Sequence, residues 1–150
     1  MHENLYCLAL NSYWEARGEK LDDKLATAQV VMNRVDSEAY PNDACSVITQ
    51  GPERESWKTR QIPDLEPEQR VYYPVKNKCQ FSWYCDGKSD SVSNMDGWED
   101  SILAAYLVYS GLGEDKVKGA THYYAHKQVT PSWSKSMTVT VKLDGHTYLK

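Results

Sequence analysis

The stretch WEARGE, residues 14–19, follows the apolar run LYCLAL at residues 5–10 and decides how the N-terminal segment folds. The two stretches together predict a helix over residues 3–17. At about 100° per residue, one face of that helix collects the positions Leu5, Leu8, Ala9, Ser12, Glu15 and Ala16. Glu15 therefore lies on the inward face, and Gly18 marks the end of the helix.

The position of Glu15 allows two interpretations. A carboxyl at the edge of an apolar face is partly desolvated, which raises its pKa and suits a general acid at neutral pH. Alternatively, Glu15 pairs with Arg17 or Lys20 on a solvated surface, as most helical glutamates do. Periodicity alone leaves both interpretations open.

Further helices follow along the chain. A second helix is predicted to follow, because Leu21, Leu25, Ala28, Met32 and Val35 keep a 4-3-4-3 spacing and Asp22 or Asp23 can cap it. It should end near Asp36–Ser37. Short helical patterns over residues 44–50 and 97–110 predict two more helices. Asp96 is the expected cap of the last of these helices, and Gly111 closes it.

The last residues change to a β pattern. MTVTVKL, residues 137–143, alternates like a strand, Asp144-Gly145 is a turn signal, and HTYLK returns. The expected fold class is therefore α+β, mainly helical, with a small C-terminal β-hairpin. We predict a single domain over residues 1–150. Residues 51–78 hold four prolines and many charges, and predict a long loop or insertion with at most one helical turn.

Composition and charge limit the classes of partner that the chain can have. The net charge is −4 with no basic stripe, so no nucleic-acid partner is predicted. No stretch approaches the roughly 18 apolar residues of a membrane span. The N-terminus lacks a basic region before its apolar run, which predicts synthesis in the cytoplasm without a signal peptide.

The four cysteines allow two disulfides. Cys79 and Cys85 are close enough to bridge across a turn. Without a signal peptide reduced thiols are the default, and a protein that later reaches an oxidising compartment could still form both bridges there. No C-x-x-C pair is present, so a zinc knuckle is not predicted.

Two aromatic stretches could line a groove. In HYYAH, His122 and His126 could share a metal on a helix, but the glutamate of a zincin is missing and the neighbours favour a strand or loop. We therefore predict no metal and no cofactor, and assign His122 to hydrogen bonding and stacking. QFSWY, residues 80–84, reads as a groove lining or a short buried strand, and Ser82 lacks the G-x-S-x-G context of a hydrolase nucleophile.

Six landmarks in one order resemble the cell-wall hydrolases of the spore-cortex-lytic type. They are WEARGE, AQVVMNRV (28–35), QFSW (80–83), GATHYYA (119–125), PSW (131–133) and GHTYL (145–149). The resemblance implies a lysozyme-like lytic transglycosylase that acts, as a monomer, on the glycan strands of peptidoglycan. It also implies that Glu15 is the catalytic residue. The insertion at residues 51–78 departs from the short members of the family, which pass almost directly to the Q-F-S motif.

The resemblance extends to the residues around Glu15. It implies that Gln80, Ser82, Tyr124 and Trp133 bind substrate in the groove. Glu19, Asn33 and Arg34 would form a supporting polar network.

The resemblance also implies the reaction. Glu15 would protonate the oxygen between N-acetylmuramic acid and N-acetylglucosamine, and the muramyl 6-hydroxyl would attack, leaving a 1,6-anhydro end. Three alternatives stay open: hydrolysis with Glu19 or Asp86 as a second acid, a metal-dependent amidase using His122 and His126, and a non-catalytic wall-binding module. A phage endolysin that reaches the wall through a membrane lesion is the expected source, and a host enzyme is the alternative.

Overall fold

Five α-helices and five short β-strands make up the computed structural model, which describes residues 1–150. In chain order they are α1 (Glu3–Glu15), α2 (Leu21–Val35), α3 (Ala44–Ile48), β1 (Glu53–Glu55), α4 (Trp57–Arg60), β2 (Tyr72–Pro74), α5 (Met95–Tyr109), β3 (His122–Tyr124), β4 (Val139–Lys142) and β5 (Thr147–Leu149). The fold class is α+β, as predicted. The chain divides into a first unit, residues 1–48 with 91–150, and a second unit, residues 49–90.

Helix α1 confirms the first predicted helix and ends at Glu15, two residues before its predicted end. The ring of His2 caps the helix start by accepting from the backbone N–H of Asn4 at 3.2 Å. The predicted face is buried at Leu8, Ala9, Ser12 and Ala16, whereas Leu5 and Glu15 are half-buried. The helix therefore delivers Glu15 to the edge of the core.

Helix α2 corrects two predictions. Its N-cap is Lys20, and the expected caps Asp22 and Asp23 lie in the first turn instead. The predicted apolar stripe is only half-buried at Leu21, Leu25, Met32 and Val35, whereas the fully buried positions are Asp23, Lys24, Ala26, Thr27, Ala28, Val30, Val31 and Arg34. The helix contacts α1, α3 and α5, so it is covered on more than one side and its burial does not follow a single stripe.

Helix α5 is capped by Asn94, whose side-chain oxygen accepts from the N–H of Gly97 at 3.2 Å, so the prediction of Asp96 as cap is wrong. Gly111 follows the helix with a φ of 72°, as a closing glycine requires. The buried positions of α5 include Ser101, Ala104 and Ala105. These small side chains let α5 lie close to α1 and α2.

The C-terminal sheet confirms the predicted hairpin and adds a strand. Strands β4 and β5 pair antiparallel, and β3 pairs with the other edge of β5, which gives the order β3-β5-β4. Tyr123 lies opposite Tyr148 in this register. Tyr148 packs in a core cluster with Ala26, Val30, Val117 and Ala120, so the sheet is fixed against α2.

The second unit holds more structure than a loop. Strands β1 and β2 form an antiparallel ribbon, with Arg54 opposite Tyr73, and α4 follows β1. The expectation of at most one helical turn over residues 51–78 is therefore wrong, and the description of the segment as an insertion stays a prediction. Arg70 orders it: the guanidinium contacts the Glu55 carboxylate at 3.0 Å and donates to the carbonyls of residues 59, 62, 63 and 65. A polar network of this kind leaves no hydrophobic period in the sequence.

All four cysteines are paired. Cys7 bonds Cys45 in the first unit and joins α1 to α3, and Cys79 bonds Cys85 in the second unit. The expectation of reduced thiols is therefore wrong, because it was based on the redox state of a compartment and not on distances in the fold.

None of the helices combines the length and apolar character that crossing a membrane requires.

Candidate active site

A cleft of about 520 Å³ opens in the first unit beside the end of α1. Its walls are the residues that end α1 and follow it, strand β3 with the segment after it, and the turn between β4 and β5. Glu15, Glu19, Tyr124, Trp133 and His146 are among its lining residues. Four of them, Glu15, Glu19, Tyr124 and Trp133, were predicted from the sequence as site residues.

Glu15 is the last residue of α1 and stands half-buried in the cleft wall. Desolvation by the surrounding protein raises the pKa of its carboxyl above the usual value. Tyr123, His146 and Arg34 oppose this shift by stabilising the carboxylate, but their combined effect is smaller. Glu15 therefore keeps its proton to a higher pH than a solvated glutamate, while part of its side chain remains open to the cleft.

The Tyr123 hydroxyl faces the Glu15 carboxyl. It is buried and makes no hydrogen bond of ordinary geometry, although it lies close enough to stabilise the Glu15 carboxylate. Burial, and then the Glu15 charge, raise the pKa of Tyr123 far above its usual value. Tyr123 therefore stays a neutral donor beside Glu15. Tyr123 was not predicted as a site residue, although it is the neighbour of Tyr124 in β3 and both line the cleft.

The end of α1 is held by Lys24, a buried cation on α2. Its ammonium donates to the backbone carbonyls of Ala16 at 3.0 Å and Glu19 at 2.9 Å. The bond to Ala16, the C-cap of α1, places a positive charge at the negative end of the helix dipole, and the bond to Glu19 fixes the backbone after the turn. Gly18, with a φ of 79°, lets the chain reverse between the two carbonyls. Lys24 thereby fixes the backbone on both sides of the turn that follows Glu15.

The opposite wall, the turn between β4 and β5, is anchored by Asp23. This side chain is 1% exposed, and one carboxylate oxygen contacts His146 Nδ1 at 3.2 Å and accepts from the Tyr148 hydroxyl at 2.9 Å. The other oxygen accepts from the N–H of Gly145 at 2.9 Å. Burial alone would raise the pKa of Asp23, but these three interactions outweigh it and lower the pKa.

Gly145 allows Glu19 to lie against this turn. A Cβ at position 145 would stand 2.5 Å from the Glu19 Cδ, so any other residue would displace the carboxyl. The two acids of WEARGE therefore differ in surroundings, because Glu15 ends the helix beside Tyr123 whereas Glu19 packs on the backbone of the β4–β5 turn.

A family model described as cell wall hydrolase matches residues 18–149. The chain belongs to the cell wall hydrolase family. The matched range begins three residues after Glu15, so the assignment does not depend on that residue. No curated protein matches the sequence.

Two solved structures share the fold of this cell wall hydrolase. The catalytic domain of SleB from Bacillus cereus is 22% identical, with a TM-score of 0.61 over 98% of this chain and 89% of that one. The catalytic domain of the germination-specific lytic transglycosylase SleB from Bacillus anthracis is 23% identical, with a TM-score of 0.64 over 100% and 97% of the two chains. The predicted lysozyme-like catalytic fold is confirmed.

In the cell wall hydrolase, the polar residues of α2 contact the backbone that leads into β3. Asn33 donates to the carbonyl of Ala120 at 2.9 Å, and Arg34 Nε donates to the carbonyl of Thr121 at 2.8 Å. Neither residue lines the cleft. Their contacts fix the start of the strand that carries Tyr123 and Tyr124.

Aromatic rings surround the outer part of the cleft. Trp133 is 42% exposed, and its ring lies 5.5 Å from that of His122 and 6.1 Å from that of Tyr124. Burial and the nearby Arg34 charge lower the pKa of His122, so this ring stays neutral to a lower pH than a free histidine. Exposed rings held in this way offer an apolar face to a sugar.

Gln80 and Ser82 belong to the second unit, and both are exposed there. The backbone N–H of Gln80 donates to the carbonyl of Gln50 at 3.0 Å, and Ser82 begins a 3-10 turn that ends at the disulfide-bonded Cys85. Their assignment to the substrate groove stays a prediction.

The two histidines of HYYAH have separate partners. His122 Nδ1 lies 3.0 Å from the Thr121 hydroxyl, and His126 Nδ1 lies 3.1 Å from the Thr147 hydroxyl. No group of three or more His, Cys, Asp or Glu side chains is arranged to hold a metal ion.

Proposed function

We propose that this cell wall hydrolase cleaves the glycan backbone of peptidoglycan between N-acetylmuramic acid and N-acetylglucosamine, with Glu15 as the proton donor. Membership of the cell wall hydrolase family supports peptidoglycan as the substrate. The observation that carries the proposal is the Glu15 carboxyl, which lies in a cleft wall with a raised pKa at a helix end held by Lys24. A carboxyl that keeps its proton and reaches a ligand is what general acid catalysis requires.

The proposed reaction needs one carboxyl. Glu15 gives its proton to the bridging oxygen as the bond from that oxygen to the muramyl anomeric carbon breaks. The muramyl 6-hydroxyl oxygen then bonds to the anomeric carbon, and its proton returns to the Glu15 carboxylate. The products are a 1,6-anhydromuramyl end and a free N-acetylglucosamine hydroxyl, and no water is consumed. Ordinary glycosidases need a second carboxyl because their nucleophile is not already part of the substrate.

Neighbouring residues support each step of the proposal. The neutral Tyr123 hydroxyl is positioned to stabilise the Glu15 carboxylate that forms when the proton leaves. Tyr124 and Trp133 offer ring faces on which a sugar can stack. We assign Gln80 and Ser82 to further sugar contacts on the evidence of the sequence motif alone.

A second candidate is hydrolysis at the same bond. Glu19 lines the same cleft as Glu15 and could activate a water molecule there. This reaction would leave a reducing muramyl end in place of the anhydro end.

Product analysis separates the candidates. The purified protein is incubated with sacculi, and the soluble products are identified by mass spectrometry, with and without a chelator. Anhydro muropeptides support the proposal, whereas reducing ends indicate hydrolysis. Chelator-sensitive release of stem peptides would indicate the amidase. Binding to sacculi without release of soluble products would indicate a wall-binding module. Any of the last three results overturns the proposed reaction.

We further propose that the chain acts on the wall as a monomer, outside the compartment in which it is made. Its two disulfides favour an oxidising site of action. Sedimentation analysis of the disulfide-bonded protein tests the monomeric state. Lysis of wall preparations, compared under non-reducing and reducing conditions, tests whether the protein works in an oxidising environment. A stable dimer, or higher activity after reduction, would contradict this proposal.

A further inference from the structure

A second concave surface lies within the second unit, on the ribbon formed by β1 and β2. It has a volume of about 360 Å³, and we call it the ribbon pocket; Arg54, Trp57, Arg60, Tyr73, Pro74 and Lys76 are among its lining residues. Trp57 is 58% exposed and Tyr73 is 60% exposed. Two large aromatic rings therefore lie open to solvent beside three cations. Exposed apolar surface rimmed by charged side chains is typical of binding sites.

The charges of the ribbon pocket are unbalanced. Arg54, Arg60 and Lys76 take part in none of the ion pairs of the structure. The acid that shares the pocket, Glu55, is already neutralised by Arg70 at 3.0 Å and accepts a hydrogen bond from the Thr59 hydroxyl at 2.8 Å. The pocket is therefore positive, although the chain as a whole carries a net charge of −4.

The frame of the pocket is held without a ligand. Arg70 ties the segment after α4 to β1 through Glu55 and through backbone carbonyls. Tyr73 is paired in the ribbon opposite Arg54, and the Lys76 side chain lies over Gly87, where a Cβ would come within 3.0 Å of Lys76 Cε. A site whose backbone is already fixed loses less entropy on binding.

We propose that the ribbon pocket binds the peptide-bearing muramyl units of peptidoglycan, with a sugar face on the aromatic rings and stem-peptide carboxylates on the cations. Aromatic side chains stack on the apolar face of a ring, and guanidinium groups bind carboxylates by paired hydrogen bonds. A muramyl unit with its stem peptide carries both features. A poly(glycerol phosphate) teichoic acid has no ring face, and a glycan without peptides keeps only the lactyl carboxylate of each muramyl unit and lacks the carboxylates of the stem peptide.

The pocket would act as a second contact with the polymer. An enzyme held on its substrate by a separate site meets a higher local concentration of cleavable bonds. This role rests on the proposed function for the identity of the polymer, but none of the pocket residues belongs to the cleft that contains Glu15.

The experiment compares matched variants of the full chain. Tyr73→Ala and the double variant Arg54→Ala/Arg60→Ala remove the two kinds of contact. Tyr72→Ala is the control for the first, because Tyr72 is 51% exposed on the neighbouring ribbon position outside the pocket, and Lys58→Ala is an exposed cation control. Binding to sacculi freed of teichoic acids is measured by co-sedimentation on ice, with thermal unfolding to confirm that each variant folds.

We expect each pocket variant to weaken binding by about tenfold while each control binds like the wild type. Raising the salt concentration should weaken binding by the wild type more than binding by the double arginine variant, which keeps only Lys76 of the three cations. Wild-type binding to peptide-free glycan strands should be weaker than binding to sacculi, because only the lactyl carboxylates remain for the cations.

Three results would overturn the proposal: pocket variants that bind like the wild type, controls that lose as much binding, or tighter binding to purified teichoic acid than to sacculi. Release of soluble muropeptides is recorded in parallel. Failure of the wild type to release them refutes the proposed reaction and leaves the binding comparison intact, so the two failures are distinguishable.

Discussion

Asp23→Asn is the perturbation that tests most sharply how the cleft is built. The carboxylate of Asp23 receives the N–H of Gly145 on one oxygen and contacts Tyr148 and His146 through the other. Asparagine keeps the shape but replaces one acceptor with a donor, so the amide either turns its NH2 against the N–H of Gly145 or requires Tyr148 and His146 to accept where they now donate. It also removes the charge that strengthens the remaining bonds.

The loss can be estimated from these bonds. A hydrogen bond to a charged group contributes about 1.5–3 kcal/mol, and a buried donor left without a partner costs about 1–3 kcal/mol. One bond lost and two weakened therefore lower the free energy of unfolding by about 3 kcal/mol at pH 7. For a chain of this size that corresponds to a fall in Tm of about 6–12 °C.

The matched control is Asp22→Asn, one residue away in the same helical turn but exposed. Both variants remove a negative charge near the start of α2, which is worth at most about 1 kcal/mol. Thermal unfolding of the three proteins by circular dichroism measures the difference between the two variants. Equal changes in Tm would refute the claim that the buried contacts of Asp23 anchor the β4–β5 turn.

The pH dependence gives a second readout of the same variant. Because the fold lowers the pKa of Asp23, its stabilising effect is complete above the unfolded pKa of about 3.9 and is lost as the pH falls through the folded value. The stability difference between wild type and Asp23→Asn should therefore be full at pH 7 and shrink below about pH 4. A difference that stays constant across that range would contradict the assignment.

Three further predictions follow from other contacts. Replacing Cys7 and Cys45 by serine should lower the free energy of unfolding by about 4 kcal/mol, because the disulfide closes a loop with a sequence separation of 38. Chemical denaturation under non-reducing conditions measures this loss, and an unchanged midpoint would contradict it. Glu15→Gln should stabilise the protein more at pH 8 than at pH 5. The folded state raises the pKa of Glu15, so ionisation of this carboxyl lowers the stability of the wild type as the pH rises. The difference in Tm between variant and wild type, measured at both pH values, tests this, and a larger difference at pH 5 would contradict it. Lys24→Met should leave the Glu19 carbonyl without a donor, remove one of the two donors of the Ala16 carbonyl, and lower kcat between about ten- and a hundredfold through displacement of the α1 end. Wild-type turnover in this variant would show that the ammonium does not position the site.

Local patterns in the sequence predicted much of the fold. The apolar spacing placed α1, and the alternation around Asp144-Gly145 placed the β4–β5 hairpin, because each of these signals is contained within a few neighbouring residues. The burial of α2 was not predicted correctly, since it depends on contacts with three other helices. The second unit was missed because its order comes from Arg70 and a disulfide, neither of which produces a hydrophobic period.

The same distinction applies to the site. Glu15 was accessible to sequence reasoning because helical geometry put it at the core edge and the ordered motifs supplied its role. The roles of Lys24 and Asp23 could not be predicted from the sequence, because a charged residue near a helix start is usually solvated. Only the packing of α2 against distant segments shows that both side chains are buried. Tyr123 was overlooked in favour of Tyr124, although both line the cleft.

The most direct test of the account is the comparison of Glu15→Gln with Glu19→Gln on sacculi, with soluble muropeptides measured by mass spectrometry and folding checked by Tm. Both acids line the cleft, and burial raises the pKa of the Glu15 carboxyl. We expect Glu15→Gln to release no anhydro muropeptides with its fold intact, and Glu19→Gln to keep the same product at a reduced rate. Anhydro products from Glu15→Gln at the wild-type rate would contradict the central claim.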